Sequence, residues 1–303
     1  MVDPLSEIIA LLRPRTVFSK RVSGAGRWGV RYGAYGAPSF CTVIEGRCRL
    51  AVDGHDPVTL EAGDFILMPA TPGFVLSGFE PVIPIYHDSH EAAALPPVDE
   101  LRHGDADADP DVRLLGGYFA FAVPDTGLLL SLLPALIHLR GATRLTTLVT
   151  MLGDEALARQ PGCDLVLERL VEILLVEALR SIQGDQAPAG LLRGLGDRRI
   201  AGAMRAMHGE PARPWTMAQL AGKAGMSRSA FFERFVRAVG VPPMEYLLAW
   251  RMALAKDLLK GRQLALTEVA ERVGYGSAST FSTAFSRHVG QPPGRFSRTA
   301  AVR

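Results

Sequence analysis

Cysteine is scarce in this chain: Cys41, Cys48 and Cys163 are the only three among 303 residues. They are scattered and form no CxxC pair, which excludes a disulfide framework and a cysteine-based metal cluster. Long apolar runs are lacking as well. Hydrophobic residues make up 48% of the chain and the mean hydropathy is +0.15, yet no uninterrupted apolar stretch reaches about 18 residues. No membrane-spanning helix is therefore expected. The first residues, MVDPLSEIIALLRPR, put an acid before a short apolar patch and lack a small-residue cleavage site, so they make a poor signal peptide. A cytoplasmic protein is the simplest expectation.

Net charge is also small, at +2, but its distribution is uneven. From Leu191 onward there are 18 basic and 7 acidic residues, giving +11; Met1–Gly190 holds 15 and 24, giving −9. A basic segment beside an acidic one points to a polyanionic partner for the basic part, most simply DNA.

What the chain does contain is an internal repeat. Ser227–Tyr246 reads SRSAFFERFVRAVGVPPMEY and Ser277–Phe296 reads SASTFSTAFSRHVGQPPGRF. Without a gap they share Ser227/Ser277, Ser229/Ser279, Phe231/Phe281, Phe235/Phe285, Arg237/Arg287, Val239/Val289, Gly240/Gly290, Pro242/Pro292 and Pro243/Pro293; Tyr246/Phe296 is conservative. The unit reads as a serine-capped helix with phenylalanines at i and i+4 buried on one stripe. Glycine ends it and a proline pair opens the next element.

The length suggests about two domains. Pro4–Leu12 reads as a short amphipathic helix. From Arg27 to about Tyr86 the texture is that of short strands broken by Gly, Pro and Asp-Gly turns. Phe40–Val52 reads as two strands joined near Glu45-Gly46, and Leu60–Gly78 as two more with turns at Gly63-Asp64 and Pro69–Gly73. Such spacing predicts an antiparallel sandwich or jelly roll. The runs VIEGRCRLAVDG and VTLEAGDFILMPA resemble a cupin-type β-barrel, the sensor half of many bacterial regulators. In enzymatic cupins, histidines and a carboxylate around those strands hold a metal. Here Cys41 and Phe74 fall about where such histidines would be, and His55, His87 and His90 do not restore the spacing. No metal and no cofactor is expected.

Pro96–Asp111 is acidic and turn-rich and reads as a loop. Arg113–Phe121 reads as a strand, and Gly127–Leu139 as an apolar helix interrupted by Pro134 and carrying His138 as an ordinary core or edge histidine. Thr143–Leu157 and Cys163–Ile182 read as helices. The second is apolar almost all round, through Leu167, Leu170, Val171, Leu174, Leu175, Ala178 and Leu179. Either one face meets the barrel and the other a second subunit, or the helix is core within one subunit. The Gly, Pro and Ala of Gln183–Gly196 suggest a tether. The expected division is residues 1–185 (barrel about 15–122, helices about 127–182), a linker at 186–196, and a basic domain at 197–298.

In the basic part, Arg198–His208 reads as a helix. Thr216 caps a helix carrying Met217, Leu220, Ala221 and Ala224, Gly225 makes the turn, and Ser227 caps the next helix. A short helix, a small-residue turn and a second helix form a helix-turn-helix unit at about 216–238. Thr267–Val273, Gly274 and Ser277–His288 repeat it at about 266–288. One helix, 243–260, joins the two units and would hold their reading helices about one DNA turn, ~34 Å, apart.

With AWRMALAKDLL and LTEVAERVGYGSASTFSTAFSRHVGQPPGRF, the stretch Asp197–Arg298 resembles the DNA-binding domain of the AraC/XylS family of bacterial transcription regulators. Together the two resemblances imply an α+β chain of two domains: a cupin-like antiparallel barrel with a helical dimerisation segment, then an all-α double helix-turn-helix. The function implied is sequence-specific transcription regulation in response to a small-molecule effector, with double-stranded promoter DNA, RNA polymerase and a second copy of the chain as further partners.

Carried onto this sequence, the reading helices are Ser227–Ala238 and Ser277–His288. Their outward faces hold Arg228, Ser229, Phe232, Glu233 and Val236 on the first, and Ala278, Ser279, Ser282, Thr283 and Ser286 on the second. Arg228 suits phosphate or guanine, Glu233 a cytosine amine, and Phe232 a thymine methyl. The serines and Thr283 suit phosphate, and Arg237 and Arg287 suit backbone positioning. Two enzymatic alternatives remain. A metal-dependent cupin with an accessory DNA-binding domain would carry stoichiometric metal. A DNA-repair alkyl acceptor needs an activated cysteine, and none of the three lies in the basic domain.

Overall fold

The computed structural model describes residues 3–89, 100–121, 133–158, 160–182, 189–261 and 264–300. Two compact units emerge. One holds Arg13–Ala122 and Pro134–Ile182; the other holds Gln183–Arg303 together with Met1–Leu12.

The first unit is a curled half-barrel of ten strands: β1 (Pro14–Ala25), β2 (Gly29–Tyr32), β3 (Ser39–Val52), β4 (Val58–Glu61), β5 (Phe65–Met68), β6 (Phe74–Ser77), β7 (Ile85–His87), β8 (Glu100–Gly104), β9 (Val112–Phe121) and β10 (Ile137–Leu139). Its spine runs β7-β2-β6-β3-β9-β1-β8; all pairings are antiparallel except β1 with β8 and β2 with β7. Inward-facing Val30, Val43, Leu50, Val52, Leu60, Ile66 and Leu114 form the core.

Three sequence expectations change here. The Glu45-Gly46 signal is not a hairpin but a bulge in one long strand, with the register slipping between Val43 and Glu45. At that corner β3 leaves β9 (last pair Gly46 with Val112) and takes up β4 (first pair Arg47 with Glu61). A single strand thus serves both halves of the sheet. Gly46 has φ 73°, and a β-carbon there would collide with the Asp111 carbonyl. Gly46→Ala should therefore cost about 2–4 kcal/mol, read as a fall in urea midpoint at unchanged slope. Second, the acidic stretch is not wholly loop, because Glu100–Gly104 pairs in parallel with Arg21–Ala25. Residues 96–99 lie outside the described set. Third, His138 sits on a strand rather than a helix, its Nε2 3.0 Å from Asp64 Oδ2. Pairing with β5 overrides the apolar periodicity; residues 127–132 are outside the described set.

Helices α2 (Thr143–Ala158) and α3 (Cys163–Arg180) pack on each other and on β1. α3 buries Leu167, Leu170, Val171, Leu174, Leu175, Ala178 and Leu179. Its opposite side leaves Leu165, Val166 and Ile173 exposed, at 57%, 42% and 44%.

The second unit is helical: α1 (Pro4–Leu12), α4 (Leu191–Gly196), α5 (Arg198–Gly209), α6 (Met217–Lys223), α7 (Arg228–Val239), α8 (Pro243–Lys260), α9 (Leu266–Arg272), α10 (Ala278–Val289) and α11 (Pro293–Ala300). The tether read from composition is helical from Leu191, which is buried, while residues 186–188 are outside the described set. The N-terminal helix packs on α5 and α8 rather than within the sheet unit. Its Ile8, Ile9, Leu11 and Leu12 are buried, and a burial stripe of that size outweighs its position in the chain.

Candidate nucleic-acid interface

Each half of the repeat builds the same scaffold. Ser227 accepts from the Ala230 backbone N–H and Ser277 from that of Thr280, so each serine caps its helix. Gly240 and Gly290 close the helices in the left-handed conformation, with φ 87° and 78°. Phe231 and Phe235 are fully buried with ring centroids 5.6 Å apart; Phe281 and Phe285 match them at 5.5 Å. Phe235 meets Tyr246 at 5.8 Å, and Phe285 meets Phe296 at 5.6 Å. Tyr246 is tyrosine for a local reason: its hydroxyl lies 2.8 Å from His208 Nε2 on α5. Phe296 packs among apolar neighbours, where a hydroxyl would need a partner of its own.

With the phenylalanines turned inward, α7 exposes Arg228, Ser229, Phe232, Glu233 and Arg237. α10 exposes Ser279, Thr283 and Arg287, while Ala278 and Ser282 are half-buried. Ser227 and Ser277 spend their acceptor oxygens on capping. Before α7 come α6, with a capping box between Thr216 and Gln219, and a turn at Gly225 with φ 63°. Before α10 come α9 and Gly274, with φ 82°. Arg251, midway along α8, donates to the Pro211 and Arg213 carbonyls at 2.8 and 2.7 Å. The helix shared by the two units thereby also holds the entry to the first.

A cupin family model matches residues 3–183, and a helix-turn-helix domain model matches residues 220–299. An AraC-like transcription regulator of Streptomyces lividans is 37% identical over 97% of this chain and 98% of its own length. One from Streptomyces antibioticus is 36% identical with the same coverage. The chain belongs to the AraC-like transcription regulators. The transcriptional regulator AlkR of Acinetobacter baylyi is 36% identical over 54% of the chain and 56% of its own length. These relatives are regulators, not enzymes. Among the described residues of this AraC-like regulator, no group of three or more His, Cys, Asp or Glu is placed to hold a metal, and no helix is long and apolar enough to cross a membrane.

Helices α7 and α10 of this regulator differ in chemistry. Ser282 Oγ donates to the Ala278 carbonyl at 2.7 Å and Thr283 Oγ1 to that of Ser279 at 3.2 Å. Each hydroxyl has one O–H, so both offer only lone pairs outward. Phosphate oxygens need donors, which makes Ser282 and Thr283 unsuited to phosphate in this state. Arg228 and Arg287 offer charged donors instead.

Sequence reasoning missed one feature of the basic unit. Arg193, Arg198, Arg199, Arg234 and Arg237 line one cleft between the start of α5 and the end of α7, with Asp197 as the only acid among the described residues there. Asp197 caps α5 and takes Arg234 Nε at 2.6 Å, which ties α7 to α5. The arginine density at 193–199 was the available signal, but only the fold brings Arg237 to it.

Proposed function

We propose that this regulator reads promoter DNA with α7 and α10 and adjusts that binding to a small molecule held in the half-barrel. The observation that carries the reading is the pair of exposed helix faces on one repeated scaffold within a segment of charge +11. Arg228 serves guanine or phosphate, Glu233 a cytosine amine and Phe232 a thymine methyl. Ser229 and Ser279, at the open ends of their helices, and the capping Ser227 and Ser277 lie against the backbone. Arg237 and Arg287 set the register on phosphates, and the arginine-lined cleft extends that contact. Ala278, Ser282 and Thr283 give the second helix a plainer face, so the first unit carries more of the discrimination.

The sensor comprises the barrel with α2 and α3, and the reader runs from about Asp197. Leu165, Val166 and Ile173 on α3 supply an apolar strip that suits a second copy of the chain. RNA polymerase is the expected partner at the promoter, and the cytoplasm the compartment.

Genome-wide footprinting with the full-length purified protein tests this. Discrete protected sites are expected, with affinity falling steeply and log-linearly as salt rises. Arg228→Ala should weaken binding by about 1–3 kcal/mol and relax preference at one base pair, whereas Arg287→Ala should lower the salt slope by about one unit without changing preference. Absence of protected sites, or binding indifferent to salt, would sink the proposal.

A further inference from the structure

The arginine-lined cleft has a volume of about 520 Å³ and is built by three helices. Arg193 comes from α4, Arg198 and Arg199 from the start of α5, and Arg234 and Arg237 from α7. Arg198, Arg199 and Arg237 are exposed, and Arg193 and Arg234 half-buried. Of the five, Arg234 alone makes an ion pair among the described residues, with Asp197. Residues 183–199 hold one further acid, Asp185, which lies outside the described set; five guanidinium groups outnumber both carboxylates together. The α5 N-terminus adds little of its own, because the Arg199 and Ile200 backbone N–H groups already donate to Asp197. The positive charge of the cleft is that of its side chains.

Direction around the helix separates this cleft from the face proposed to read bases. At about 100° per residue, Arg228, Ser229, Phe232 and Glu233 centre on one side of α7, and Arg234 points roughly 170° from that centre. Arg237 stands between the two, roughly 110° from it. A duplex on the base-reading face meets Arg237 at the rim of the cleft and leaves Arg234 behind the helix. Filling the cleft itself takes a small anion. Guanidinium groups donate to phosphate in a planar, two-pronged fork, and several of them in one place suit several linked phosphates. We infer that the cleft binds a compact polyphosphate, the linked phosphates of a free nucleotide or of an inorganic chain, and that this ligand competes with the DNA backbone for Arg237. An occupied cleft then weakens DNA binding by about the worth of one phosphate contact, roughly three- to tenfold. The inference rests on the proposal that Arg237 sets the register of α7 on phosphates.

The test uses the full-length protein, inorganic tripolyphosphate and ATP as probes, and sulfate at matched ionic strength as the control. Calorimetry should give one tripolyphosphate site per chain, with sulfate at least about tenfold weaker. ATP binding as tightly as tripolyphosphate marks nucleotides as a source, and much weaker ATP binding marks inorganic chains; both keep the site. The double variant Arg199→Gln, Arg237→Gln should lose about tenfold or more in tripolyphosphate affinity. Arg205→Gln, which removes an exposed arginine about two turns along α5 and outside the cleft, should lose no more than about twofold. Saturating tripolyphosphate should weaken wild-type DNA binding by about three- to tenfold beyond the sulfate control, and binding by the double variant not at all. Tripolyphosphate held no tighter than sulfate, or equally well by the double variant, would overturn the site. Tripolyphosphate binding with undiminished DNA affinity would overturn the competition. Arg237→Gln alone keeps the two readings apart: lost DNA affinity in that variant leaves the backbone contact standing whatever tripolyphosphate does, and unchanged DNA affinity counts against that contact.

Discussion

Phe285→Ala should destabilise the helical unit by about 3–5 kcal/mol and abolish promoter binding, even though the side chain never meets DNA. Only Phe281 and Phe285 are buried along α10, so one of the two anchors of that helix would be gone. The void would open among Met252, Ala255, Val269, Val273 and Phe296, from three other helices that cannot all close on it. Phe232→Ala is the matched control. It removes the same side chain from a site 44% exposed and should change stability by no more than about 0.5 kcal/mol while weakening DNA binding. Urea unfolding and a binding titration on both variants check the pair. A loss below about 1 kcal/mol for Phe285→Ala would mean that the second unit does not depend on the buried phenylalanine stripe.

Acidification should loosen the same unit through His208. This ring is buried, stacked at 4.0 Å on Trp250, with Nδ1 2.9 Å from Glu7 and Nε2 2.8 Å from Tyr246 Oη. The neutral tautomer with its proton on Nδ1 satisfies both contacts, donating to Glu7 and accepting from Tyr246. Burial pushes His208 from 6.5 down to about 3, with Asp3 opposing weakly. A depressed histidine leaves the unfolded chain holding more protons at mildly acid pH. Its stabilising contribution is therefore full above about 6.5 and is lost as pH falls from there toward 3.

The slope is about 1.4 kcal/mol per pH unit, so roughly 2 kcal/mol disappears between pH 6.5 and 5. Glu7, raised by burial and by Asp3, acts with the opposite sign and flattens the curve once it begins to take up its proton. His208→Gln should be less stable at neutral pH yet lack the acid slope. Denaturant melts of both proteins from pH 8 to 5 measure this, and an identical slope in the variant would remove His208 as the cause.

Much of the helical unit was legible in the sequence because its signals are local. Serine caps, phenylalanines four apart, closing glycines and proline pairs each act within one turn of helix, so α7, α8 and α10 lie within a residue or two of their expected bounds. The sheet was less legible. Glu45-Gly46 carries the residues of a hairpin turn, yet serves as a bulge because β9 and β4 both need β3 as a neighbour. Ile137–Leu139 looks helical by period, yet β5 offers an unfilled edge. Pairing partners beyond the reach of any local period decide such cases, and periodicity cannot see them.

The sequence by itself determined the double helix-turn-helix, the charge division and the family, because repeat spacing and capping chemistry are written residue by residue. Which serine and threonine hydroxyls still have a donor to offer, where the arginines at 193–199 meet Arg237, and that α1 joins the helical unit were decided only by tertiary structure. Those facts depend on burial and on distances between residues far apart in the chain. Neither quantity exists until the chain has folded.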